Sequence, residues 1–283
     1  MTDPHPLLRA GQLGVQAHCL RFEIAAGLEP ALARMAALGI RAIEMMSFPG
    51  CRGQAWGDFG AAADRDPRDI AAALGAAGLA CPSTMVLERE LSLANIEATL
   101  RWVAGLGCPR LVQSSFTIAA DAGVADWQLA FDRIEGLARR ARAAGLAYVL
   151  HTQPNLWRPL AGGRPIDWLL ERLDPGLLQL EYDPSGAINQ GLDPAGPLRR
   201  RPEAFYALHL RDGRTPPEPV FYLAALPLGT GGVDWPALLR AAAASAIEYA
   251  FLEMEVAEPR ETLAALASSR RFLVERGLLD GGA

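Results

Sequence analysis

Residues 178–210 read LQLEYDPSGAINQGLDPAGPLRRRPEAFYALHL. A short apolar run, Leu178–Tyr182, closes on an acid at Asp183. A loop and a helical stretch, Ala195–Arg200, follow, and a second apolar run, Ala207–Leu210, carries a histidine near its end. Short apolar runs alternating with longer segments of helical period are the signature of parallel strands joined by crossover helices. The same unit recurs on both sides. Further strands are expected at Leu13–Ala17, Ala42–Met46, Ala80–Met85, Leu111–Ser115, Tyr148–His151 and Tyr249–Glu253. Helices are expected near Pro30–Leu38, Pro67–Ala77, Leu93–Leu106, Asp126–Ala144, Ile166–Leu173, Trp235–Ala244 and Arg260–Arg276. Eight such units predict a (β/α)8 TIM barrel, because a doubly wound sheet usually has about five to seven strands and a Gly-rich phosphate turn after the first. No GxGxxG follows Gln16.

Several helices run into a glycine, at Gly39, Gly78, Gly107, Gly145 and Gly277, where a left-handed C-cap favours a residue without a Cβ. The longest loops, Ser47–Asp66, Thr152–Pro165, Pro184–Pro194 and Arg211–Gly232, all follow strands, on the face where barrels build their sites. No linker or low-complexity stretch divides the chain, so residues 1–283 are expected to form one barrel domain with a short N-terminal tail, 1–11.

The chain has 51% hydrophobic and 21% charged residues, enough apolar material for a full core. A net charge of −5 argues against nucleic acid or an anionic membrane as partner. The run Arg199–Arg201 reads as a solvated helix end. Cys19, Cys51, Cys81 and Cys108 are far apart and form no CxxC, so reduced thiols are expected. The N-terminus has neither a basic n-region nor an apolar h-region, and no apolar run is long enough to span a bilayer; a cytoplasmic location is the expectation.

A metal site in a barrel needs inward-facing ligands at the C-terminal tips of its strands. Four successive strands offer one each: His151, Asp183, His209 and Glu253. One imidazole or carboxylate from each suits a divalent cation, Mn²⁺, Mg²⁺, Co²⁺ or Zn²⁺. Asp183-Pro184 alone could start a turn, and His209 alone could be an interior histidine. Glu253 among strand apolar residues is harder to explain without a partner or a metal. Glu181 shares the face of Asp183 one layer deeper and there needs a buried partner, an Arg or Lys being one candidate. Glu44, Gln16 and His18 end the first two strands, where they could contact substrate hydroxyls. Gln153 lies two residues past His151. Arg158 and Arg214 are loop candidates for gripping a substrate phosphate or carboxylate. Trp56, Phe59, Trp157, Phe221 and Tyr222 could stack on a sugar face, or cover a partner subunit in a homo-oligomer.

These segments resemble the xylose isomerase-like sugar phosphate isomerase/epimerase superfamily. Leu178 to Asp183 with Gly191-Leu-Asp-Pro194, His209-Leu-Arg-Asp-Gly213, and Pro227-Leu-Gly-Thr-Gly-Gly-Val-Asp-Trp235 leading to Glu253 carry the likeness, in the family's order. The resemblance implies a TIM barrel, a small carbohydrate substrate, and a divalent metal held by His151, Asp183, His209 and Glu253, with Glu253 also the base. The family's isomerases and epimerases use a glutamate at the fifth strand as well, where this chain has His151; the glutamate of their Gly-rich turn is Thr230 here. The implied reaction is isomerisation or epimerisation of a keto-sugar through an enediolate, with His151 as partner acid. Dehydration of a keto-sugar or keto-inositol is the second reading, since one base and one acid suffice for it. A barrel that has lost catalysis and binds a ligand or partner is the third. Endonuclease relatives of the same barrel need more histidines than the four present.

Overall fold

In a computed structural model of the chain, the described residues are 6–54, 58–213, 226–254 and 261–281. The strands are β1 Leu13–Gln16, β2 Ala42–Met46, β3 Ala80–Val86, β4 Arg110–Gln113, β5 Ala147–His151, β6 Leu178–Tyr182, β7 Phe205–Leu210 and β8 Tyr249–Leu252. They pair in parallel, in chain order, and the ring closes: Leu13 of β1 lies against Ala250 of β8, and Val15 against Leu252. A second link joins the ends of the described chain, where Leu8 N–H donates to the Leu278 carbonyl at 2.9 Å and Asp280 N–H to the Leu8 carbonyl at 2.8 Å.

The helices are α1 Arg21–Ala26, α2 Leu28–Ala37, α3 Phe48–Cys51, α4 Pro67–Ala76, α5 Ile96–Gly105, α6 Val124–Ala143, α7 Pro165–Arg172, α8 Ser185–Asn189, α9 Gly196–Arg200, α10 Trp235–Ala243 and α11 Thr262–Glu275. Eight of them answer to the helices expected between strands. The other three, α1, α3 and α8, are turns of four to six residues that no periodicity announces. Leu93–Asn95 precede α5 instead of joining it, and β4 stops at Gln113, before Ser115.

The local chemistry of α4 shows why these helices form where they do. Asp66 accepts the N–H of Arg68 at 2.9 Å, Pro67 supplies a preset first-turn φ, and Ile70, Ala73 and Leu74 turn one stripe onto the barrel. The helix then runs into Gly78 at φ 67°, a left-handed conformation that a Cβ would strain. All five glycines singled out as helix stops have φ between 66° and 80°.

Both faces of the sheet are covered, so every residue of β2 and β7 is buried. No helix among the described residues is long and apolar enough to cross a membrane. The four cysteines are free thiols.

Candidate metal centre

The tips of β5 to β8 meet. His151, the first residue past β6 (Asp183), His209 and the first residue past β8 (Glu253) each offer a ligand atom, and these atoms all lie within 4.8 Å of one another. Exposures are 4%, 0%, 0% and 8%, so the donors have little water to satisfy them. His151 Nε2 is 3.9 Å from Asp183 Oδ2, and His209 Nδ1 is 2.7 Å from Glu253 Oε2. Neither ring nitrogen of His151 has a hydrogen-bond partner among the described residues. Buried polar atoms normally find partners, and two imidazoles with two carboxylates around one point form a coherent donor set for a divalent ion.

The environment prepares these groups unequally. Burial, with His209 nearby, pushes His151 below its ordinary value and keeps it neutral. Burial also disfavours charge on His209, but the carboxylates of Glu181 and Glu253 outweigh it and raise the imidazole well above its usual range. Burial would raise Glu253, yet the Arg211 guanidinium and then the His209 imidazole hold it well below the carboxylate range.

Arg211 is the residue that sequence reasoning missed. It lies two positions beyond His209, is 1% exposed, and ties two candidate ligands together: Nη2 sits 2.6 Å from Glu253 Oε1 and Nε 3.3 Å from Asp183 Oδ2. Strand alternation places residues 209 and 211 on one face, which is the signal that finds it. Glu181 corrects a related expectation. Its buried partner is neither Arg nor Lys but His209, whose Nε2 is 3.2 Å from Glu181 Oε2 and 3.1 Å from Glu44 Oε2. Glu44, also expected at the mouth, is 0% exposed in this inner layer, where it accepts from Ser83 Oγ at 2.9 Å.

Next to Arg211, the Asp212 carboxylate gathers five donors. They are the N–H groups of Gly213, Gly229, Gly231 and Val233 and the Trp235 indole, at 2.7 to 3.4 Å. This knot fastens the turn before α10 to the end of β7. Gly231 is required there, since a Cβ would lie 2.1 Å from Asp212 Oδ1.

Other expected substrate contacts are already committed. Gln153 braces the loop after β4, donating to the Phe116 carbonyl at 3.0 Å and accepting its N–H at 3.4 Å. Arg158 donates to the carbonyls of Ala120 and Ala122. Gln16 is buried and accepts His18 N–H at 2.6 Å, and His18 itself is half-buried. Trp157 and Phe59 belong to the core, not to a sugar-binding face. Trp157 packs on Tyr182 and Gly186, and Phe59 on Phe48 at 4.4 Å. Arg214, Trp56, Phe221 and Tyr222 lie outside the described residues.

The profile of the xylose isomerase-like TIM barrel family matches residues 32–275. Among solved structures, the fold is similar to a sugar phosphate isomerase/epimerase from Parabacteroides distasonis, at 18% identity over 94% of this chain and 98% of that one, with a TM-score of 0.75. It is similar to a probable 3-DHS dehydratase involved in petrobactin synthesis from Bacillus anthracis, at 14% identity over 93% and 98%, TM-score 0.70. It is also similar to the IOLI protein solved with a zinc atom, at 12% identity over 94% and 98%, TM-score 0.70. At such identities the likeness is one of fold. No curated protein matches the sequence. A profile match across most of a closed eight-stranded parallel barrel makes this chain a member of the xylose isomerase-like TIM barrel family.

Proposed function

We propose that this protein is a divalent-metal-dependent enzyme that removes the proton beside the carbonyl of a keto-sugar, or its phosphate, and returns it to give an isomer or epimer. The observation that carries the reading is the convergence of His151, Asp183, His209 and Glu253 at four adjacent strand tips. These four would hold the ion, and the imidazole pair favours Zn²⁺, Co²⁺ or Mn²⁺ over Mg²⁺. A bound cation would supply Lewis acidity at the substrate carbonyl and stabilise the negative charge of the enediolate. Glu253 is the base, held ionised by Arg211 and His209. The same clamp weakens it, so it can only deprotonate a carbon already acidified by a neighbouring carbonyl. Arg211 fixes the outer oxygen of Glu253, which orients the carboxylate toward the site.

Dehydration of a keto-sugar or keto-inositol is the second reading. His151 favours it: the fifth strand presents an imidazole where two-base chemistry wants a carboxylate. Keto-sugars incubated with metal-loaded protein in D₂O separate the two. Solvent deuterium in an isomeric product supports isomerisation or epimerisation; loss of water with a new enone absorbance supports dehydration. A protein that neither takes up metal nor exchanges deuterium refutes both.

A further inference from the structure

We propose that Glu181 is a positioning residue for the metal centre: together with Glu44 it accepts the Nε2–H of His209 from inside the barrel and thereby turns the Nδ1 lone pair toward His151, Asp183 and Glu253. The inference rests on the metal-dependent reading above.

An imidazole that gives Nδ1 to a cation keeps a single N–H, the one on Nε2. Here the two nitrogens face opposite ways. Nε2 points down the barrel at Glu181 Oε2, 3.2 Å away, and Glu44 Oε2, 3.1 Å away; Nδ1 points up toward the mouth, 2.7 Å from Glu253 Oε2. A lone pair on Nε2 would confront two buried carboxylates, whereas an N–H there satisfies them. Glu181 is 0% exposed, its Oε2 lies 3.2 Å from the imidazole Nε2, and its other close polar neighbour is the Glu44 carboxyl. Glu44 also accepts from Ser83 Oγ at 2.9 Å, whereas Glu181 lies against His209 and Glu44 alone among the groups that face it. A carboxylate behind a ligating histidine fixes its ring and raises its basicity, and losing it typically weakens metal binding about 10–100-fold.

The test is zinc affinity, measured by competition with a chelator on full-length protein stripped of metal. Glu181→Leu keeps the volume but removes the acceptor, and is expected to raise the zinc Kd about 10–100-fold. Glu181→Gln keeps a carbonyl acceptor and should recover part of the loss. Nitrogen-15 NMR of the zinc-loaded parent should show His209 bound through Nδ1 and protonated at Nε2. Equal zinc affinity in the parent and Glu181→Leu, or a zinc-bound Nε2, would overturn the positioning role. So would a second zinc per chain lost in Glu181→Leu, since Glu181 would then itself be a ligand. A parent that takes up no zinc overturns the metal reading instead, and with it the basis of this one.

Discussion

Metal uptake is expected to expel one proton from His209. In the metal-free protein this imidazole is held charged by Glu181 and Glu253, and its Nδ1–H fills the 2.7 Å gap to Glu253 Oε2, where a cation would have to bind. The Nε2–H keeps its acceptors at Glu44 and Glu181, so the proton lost is the one on Nδ1. His151 is held neutral and Glu253 ionised, so neither adds to the count near neutral pH. The sign follows directly: below the raised pKa of His209, affinity climbs with pH, by about tenfold or ~1.4 kcal/mol per unit for one proton. Over pH values below that raised pKa the apparent Kd for Co²⁺ or Zn²⁺ should therefore fall about tenfold per unit. Calorimetric titration in buffers of different ionisation enthalpy counts the protons, and chelator competition gives Kd at each pH. A Kd unchanged across this range, or no proton released, would refute the reasoning.

Asp183→Ala should abolish stoichiometric metal uptake, read by elemental analysis after dialysis, because it removes a fully buried donor from the set. Arg211→Met removes the charge that holds Glu253 down, so the acid limb of the kcat/KM profile should move to higher pH; an unmoved limb would separate Arg211 from the base. Asp212→Ala strands five donors and should cost about 3 kcal/mol, seen as a fall in Tm of roughly 5–10 °C by calorimetry. Gly186→Ala would place a Cβ 2.1 Å from Trp157 Cδ1, and should lower stability by about 1–3 kcal/mol in urea unfolding, with an unchanged midpoint counting against the packing described.

The ring of strands was legible because the sheet is covered on both faces, so its strands read as short, mainly apolar runs bounded by polar loops. The four candidate donors could be picked out because a histidine or an acid at or beside the end of an apolar run interrupts it at a fixed place. What could not be read is which inward residues face one another across the barrel. Glu181 meets His209 where the β6–β7 register shifts, between Leu180 and Glu181, and no local pattern encodes that shift. Arg211 was within reach of strand alternation, yet its two partners come from other strands. Loop side chains such as Gln153 and Arg158 were the hardest, since an amide or guanidinium that braces a loop carbonyl has the same sequence appearance as one that binds a ligand. The four- to six-residue helices α1, α3 and α8 are too short to show a period.

Residues 13–15 pair with residues 250–252, and no shorter-range contact completes the ring. During synthesis, β1 must therefore wait with a bare rim of amides and carbonyls until residues 249–252 have been made. An unfinished barrel is a curved sheet with two sticky borders, prone to adding strands from its neighbours. Truncation before β8 is therefore expected to leave a fragment that aggregates, the last strand being the clasp that removes both borders.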